Sequence, residues 1–397
     1  MQLGIVGKPN VGKSTFFNAA TKAHAEIANY PFTTIEANRG VMFIRKPCPC
    51  RELHVTCTPH NAQCIDGIRF VPIEALDVAG LVPDAHKGRG LGNKFLDDLR
   101  QAHAFIHIVD ASGSTDAEGN PTNVGAHDPV EDIKFLEKEL DYWLFGIIKK
   151  TWDLNVRKSG LEGKKIEQML SEQLTGLGIK EAHITAAIRK LNLDREQPAQ
   201  WHDADVLRFT SFLRAFSKPM IIALNKSDKA PEALMQKLLA LPGYTMIPTS
   251  AESELALENA LSKGVIDYVP GSKQFTILHP ETLSEKQKQA LGYIQTHVLD
   301  KYGSTGVHRC IDEAVRMLDL IVVYPVADEH KLTDKEGRVL PDAFLVPKGT
   351  TAKELAFRVH TDLGNHFIRA IDARAHRVVG ADHPVKDGDI ISIIADI

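Results

Sequence analysis

Residues 7–14 read GKPNVGKS, directly after the apolar run 3–6 and directly before a helix-compatible run at 15–21. A strand that turns on glycines into a helix points backbone N–H groups and the positive end of the helix dipole at one spot. That arrangement holds phosphate oxygens. The spacing fits GxxxxGK[ST], and strand–loop–helix is the context the motif requires. Gly7 and Gly12 let the backbone close around the phosphates, with Asn10 and Thr15 in the same cradle. Lys13 is expected to reach the β- and γ-phosphates, and Ser14 to ligate Mg²⁺.

The later motifs narrow the nucleotide. Residues 72–76 read as a buried strand that runs into Asp77-Val78-Ala79-Gly80, a DxxG. An acid at that strand end can hold Mg²⁺ through water, and the Gly80 N–H can meet a γ-phosphate. Residues 220–224 form another buried strand ending in Asn225-Lys226-Ser227-Asp228, an NKxD. The Asp228 carboxylate can accept from the N1–H and exocyclic amine of guanine. Adenine offers no such donors, and a mismatch of this kind discriminates strongly. Thr249-Ser250-Ala251 follows a further strand at 245–248, where Ser250 and Ala251 suit contacts to guanine O6. Four motifs in this order describe a GTP/GDP-binding G domain, with a mostly parallel sheet and helices on both faces. Between them, NYPFTTIEANRG at 29–40 is a candidate first switch. Thr33 and Thr34 both qualify to supply Mg²⁺ there when GTP is bound. Three glycines within 88–92 mark a second mobile loop.

The stretches GKPNVGKST, YPFTTIEANRG, DVAGLVPDAHKGRGLGNKFL and NKSD resemble the Obg family of P-loop GTPases, most closely its Obg-like, YchF-type branch. The resemblance covers nearly the whole chain. It implies a helical insertion between DxxG and NKxD, a C-terminal TGS domain of β-grasp fold, and a link to ribosomes and translation. It places the Mg²⁺ ligand of the first switch at Thr34. Many YchF-type members have lost the NKxD aspartate and prefer ATP. This chain keeps Asp228, so GTP is expected. The hydrophobic Leu81 stands where Ras-type enzymes orient water with glutamine, and the family resemblance implies a hydrophobic residue there too. Lys13, Thr34 and Gly80 are therefore the expected catalytic groups. K⁺ at Asn10, His86 or a partner are the candidates for completing hydrolysis.

Four of the five cysteines, Cys48, Cys50, Cys57 and Cys64, share one stretch with His54 and His60. Clustering of this kind points to metal before disulfide. The CxC followed by two single cysteines matches no standard structural zinc site, which favours ordinary loop or core cysteines over Zn²⁺ or a redox pair. The stretch is expected as an extended hairpin on the sheet edge, and Cys310 as a helical core residue.

Domain organisation follows from patterning. The G domain is expected at 1–128 and 206–275 and a helical hairpin or short coiled coil at 129–205. A helical connector at 276–318 and the β-grasp (TGS) domain at 319–397 complete the chain. Ile133, Leu136, Leu140 and Leu144 recur at helical spacing after Asp128-Pro129. Residues 147–165 carry six basic side chains against two acidic ones, a candidate RNA contact or a solvated face. The C-terminal part carries 10 basic and 13 acidic residues from 319 onward, so phosphate attraction alone would not drive its binding. A net charge of −4 and the lack of any 18-residue apolar run argue against general nucleic-acid affinity and a membrane span. With no charged, apolar leader, a cytoplasmic location is expected. The chain reads as a GTPase switch working with ribosomes. The alternatives are a nucleotide-gated scaffold with incidental hydrolysis, or a metal- or stress-linked GTPase using the cysteine cluster. Oligomeric state has no sequence signal here.

Overall fold

The structure is a computed structural model that describes residues 1–22, 39–78 and 100–396. Contacts divide the chain into two compact units, Met1–Phe16 with Leu76–Ala251 and Phe17–Ala75 with Glu252–Ile397.

In the first unit, strands β1 (Gln2–Val6), β5 (Ala104–Asp110), β6 (Met220–Asn225) and β7 (Thr245–Pro248) lie side by side in that order, all parallel. β5 is buried at every residue, as an inner strand covered on both faces must be. Helix α1 (Lys13–Lys22) leaves the turn after β1, its first turn closed by the Phe16 N–H on Gly12 O at 2.9 Å. The last two residues of strand β4 (Ile68–Asp77) also belong here. Val78 N–H donates to Ile5 O at 3.1 Å, which brings the end of β4 beside β1.

The segment expected as a hairpin or coiled coil is a five-helix bundle. Its helices are Pro129–Lys150, Trp152–Glu162, Ile166–Leu174, Glu181–Leu191 and Asp203–Ser217. Asp128 caps the first, accepting from Val130 N–H, with Pro129 in the first turn. The four helices after the first have only nine to fifteen residues, too short to run a coiled-coil seam along the 22-residue first helix, so the apolar stripes close on one another. Leu140, Ile166, Leu170, Ile184 and Phe209 share a core with Val6, Leu76 and Phe105 of the strands. The bundle's helices run to Ser217, past the expected boundary at 205.

The second unit holds β2 (Arg39–Pro47) and an antiparallel hairpin of β3 (Gln63–Ile65) with β4. The connector helix starts on a Ser284 capping box at Glu285–Ile294, as its sequence signals, then widens into a π-turn at Gln295–Leu299. In the C-terminal domain, strands Leu320–Val326 and Ile390–Ala395 pair in parallel at the centre of a five-stranded sheet. Its helix Ala352–Val359 packs Leu355 against Val323, Val346 and Ile391. The strand after Leu340 begins only at Phe344, because Leu340 adopts a left-handed conformation (φ 46°) and Pro341 follows it. The helix Ala352–Val359 breaks at the extended His360, and a separate short helix follows at Thr361–Asn365. No described helix is long and apolar enough to cross a membrane.

Candidate functional site

The phosphate loop is held from three sides. Gly7 (φ 151°) and Gly12 (φ 97°) occupy conformations that side chains rarely adopt. A Cβ on Gly7 would sit 2.5 Å from Ile108 O, and one on Gly12 would strike Asn225 Nδ2. Below the loop, the buried Lys8 pairs with Asp132 Oδ2 at 2.7 Å and donates to Thr115 O at 3.0 Å. His127 Nε2 lies 2.8 Å from the other Asp132 oxygen. At its tip, Asn10 Nδ2 donates to Gly119 O at 3.0 Å. The loop at 110–128 thus walls the cradle.

Lys13 Nζ donates to Lys8 O at 2.7 Å, folding the long side chain back over the loop. Lys13 and Asp77 feel each other's charge. Burial lowers the Lys13 ammonium and Asp77 opposes that shift; burial raises the Asp77 carboxyl and Lys13 opposes that one. Ser14 is exposed and Thr15 half-buried at the start of α1. That helix carries no acid in its first turn, leaving its positive end for an anion.

The base-recognition elements are knitted to the same loop. Asn225 is buried at the end of β6; its Nδ2 donates to Val11 O at 2.8 Å and its Oδ1 accepts from Ala251 N–H at 3.1 Å. One side chain therefore fixes the phosphate loop to the Ser250–Ala251 turn. Ser227 N–H and Oγ both donate to Thr249 O. Asp228 follows in the turn after β6, half-buried.

Asp110, at the end of β5, has no counterpart among the sequence-derived candidates. Its carboxylate accepts from Ser112 N–H and Oγ, Ser114 Oγ, Thr115 Oγ1 and Lys226 Nζ, the last at 2.8 Å. Burial alone would raise its carboxyl; the bonds from Lys226 and Ser112 outweigh burial and hold it below the ordinary range. Lys226 itself adopts φ 59° and is steadied by that pair. The available signal was a mostly apolar run, 104–109, ending in an acid followed by Ala-Ser-Gly-Ser-Thr. His107, three residues earlier on the same strand, is also buried; burial first, then the Lys13 and Lys8 charges, bring it down to about 3.

A family model described as 50S ribosome-binding GTPase matches residues 2–141. A model for the Obg-like GTPase YGR210-like, G4 motif-containing domain matches 223–328, and the TGS domain model matches 333–395. A GTP-binding protein of Methanocaldococcus jannaschii is 53% identical over 396 residues, covering 99% of this chain and 98% of that one. This chain belongs to the Obg family of P-loop GTPases, in its YchF-type branch. Among solved structures, a GTP-binding protein from Pyrococcus horikoshii OT3 shares 41% identity at a TM-score of 0.77, with both chains fully covered. The ribosome-binding ATPase YchF of Escherichia coli O157:H7 is 28% identical over 427 residues, covering 99% of each chain.

In this YchF-type chain the described structure brings together Gly7, Asn10, Gly12, Lys13, Ser14, Thr15, Asp77, Asn225, Lys226, Ser250 and Ala251, with Asp228 in the adjoining turn. Thr33, Thr34, Gly80, Leu81 and His86 lie outside the described residues. Mg²⁺ fits the chemistry on the page: the Ser14 hydroxyl at the helix start and the Asp77 carboxylate at the strand end are its candidate holders. In the second unit the four clustered cysteines converge, with all their Sγ atoms within 4.8 Å of one another. Sequence spacing had favoured unrelated thiols.

Proposed function

We propose that this chain is a GTP-selective hydrolase switch that works on ribosomes. The observation that carries the reading is Asn225, whose amide joins the phosphate loop to the Ser250–Ala251 turn. The base-reading turn at Asp228 follows it directly, so base identity and phosphate position are sensed by one connected framework. Lys13 neutralises phosphate charge, Ser14 and Asp77 hold the Mg²⁺ that offsets the charge developing on the transferred phosphoryl group, and Asp228 accepts the two guanine donors. Thr34 and Gly80 report the γ-phosphate through the switches. Ribosome binding is supported by the names of the Escherichia coli relative and of the matching family, and the C-terminal domain's net acidity favours a protein or shaped-RNA contact over plain phosphate attraction.

ATP is the competing nucleotide, since the Escherichia coli relative is named an ATPase. The test is competitive binding of GTP, ATP and XTP to the wild type and to Asp228→Asn. The wild type is expected to favour GTP, and the variant to shift toward XTP by at least about 10²-fold, because an acceptor becomes a donor. Equal GTP affinity in both proteins would refute the base-reading role.

A further inference from the structure

The cysteines of the second unit come from three separate pieces of chain. Cys48 and Cys50 flank the start of the short helix Pro49–Glu52, Cys57 lies in the irregular loop beyond it, and Cys64 sits on β3. Backbone bonds set their places: Cys48 N–H donates to Gly67 O at 2.8 Å, and Val55 N–H donates to Cys50 O at 3.0 Å. The result is a four-sulfur cluster. Cys48 and Cys57 are 4.0 Å apart at sulfur, Cys50 and Cys64 3.8 Å, and all six separations are within 4.8 Å. A tetrahedron of four sulfurs at the usual Zn–S length of about 2.3 Å has edges of about 3.8 Å. A disulfide would need its sulfurs at about 2.05 Å, and two disulfides would draw four sulfurs into pairs.

The surroundings supply a countercharge. Arg69 is fully buried; its Nη2 donates to Cys48 Sγ at 3.5 Å and to Leu340 O at 2.9 Å. Its Nε and Nη1 have no hydrogen-bond partner among the described residues. A buried guanidinium is costly unless an anion faces it. Four thiolates around one divalent cation carry a net charge of −2, half of which Arg69 offsets. We propose that Cys48, Cys50, Cys57 and Cys64 form a structural tetrathiolate site for a zinc ion.

The site anchors the loop between the short helix and β3. Residues 55–59 form no helix or strand, yet they and their neighbours carry a row of bonds to 339–343. Thr58 N–H donates to Val339 O at 2.9 Å and His60 N–H to Pro341 O at 2.7 Å. Asn61 exchanges two bonds with Ala343. Zinc joins Cys48 and Cys50 at one end of this loop to Cys64 at the other, with Cys57 between. It therefore holds the strip that pairs with the segment leading into the strand Phe344–Pro347. Binding releases thiol protons and contributes to folding directly.

The experiment is metal analysis of the full-length protein purified under reducing conditions, for the wild type, Cys57→Ser and Cys64→Ser. A single equivalent of zinc in the wild type, lost in both variants, is expected. Replacement of zinc by Co²⁺ in the wild type is expected to give the intense thiolate-to-cobalt absorption of a tetrahedral sulfur site, a readout independent of the variants' folding. Removing the metal is expected to speed proteolysis within 52–62 while nucleotide binding is retained. Four freely titrating thiols with no bound metal and no Co²⁺ spectrum would overturn the proposal, as would two disulfides found by mass.

Discussion

At the residue scale, buried charge organises the nucleotide end of the first unit. Lys8, Asp132 and His127 form one chain, Asp110 and Lys226 another, and Thr115 bonds to both. His107 shares this space and stays neutral because burial and two lysine charges oppose its protonation. Its folded value, about 3, lies below the ordinary histidine value, so the unfolded chain protonates first as pH falls. That contribution to stability is intact above the ordinary value and is lost as pH drops toward the folded one. Between about pH 7 and about pH 5, the wild type is expected to lose about 2 kcal/mol more unfolding free energy than His107→Leu. Denaturant titrations at the two pH values check this; parallel losses would assign the acid sensitivity elsewhere.

At the element scale, the helical bundle belongs to the same core as the sheet. Leu170, fully buried, lies in one cluster with Val6, Phe105 and Trp152. Trp152 and Trp201 stand 5.5 Å apart between ring centroids, and Trp201 is as close to Phe209. All three tryptophans of the chain lie in the bundle region, so their fluorescence reports on it. Leu170→Ala is expected to cost about 2–5 kcal/mol. Because the core is shared, tryptophan fluorescence and nucleotide binding should be lost in one transition. Two separate transitions would make the bundle an independent domain. Helical spacing predicts Ile133 through Leu144 correctly, since period and cap are local properties. The number of helices that close on one another was not legible, because two amphipathic helices and five carry the same stripe. Leu340 and His360 illustrate the same limit in the C-terminal domain. Their backbone conformations override the propensity of their neighbours, cutting short a strand and a helix.

At the scale of the whole molecule, the absence of a glutamine at Leu81 leaves the water-orienting group to be supplied from elsewhere. K⁺ at Asn10, His86 and a partner such as the ribosome are the candidate sources; the first and last can be added or withheld in solution. Asn10 already spends its amide nitrogen on Gly119 O, which orients the side chain within the loop. Hydrolysis measured with K⁺ or Na⁺ as sole monovalent cation, with and without ribosomes, separates the sources. Stimulation by ribosomes is expected, up to the roughly 10³–10⁵-fold that an arginine finger supplies. Slow turnover under every condition would favour a nucleotide-gated scaffold.

The phosphate loop, NKxD and the order of strands ending in them were legible in the amino-acid sequence alone. Each is a contiguous run whose chemistry and backbone demands sit within a few residues. The membership of this chain in the YchF-type branch was legible for the same reason. Asp110, the Lys8–Asp132 pair and the Asn225 bridge join residues about 100 to 200 positions apart, so only the packed sheet could reveal them. The cysteines show the difference most sharply. Their spacing fits no standard motif, yet a turn, an irregular loop and a hairpin strand bring the four sulfurs together. Ligand geometry is a property of positions in space, and three backbone segments had to be folded before it existed.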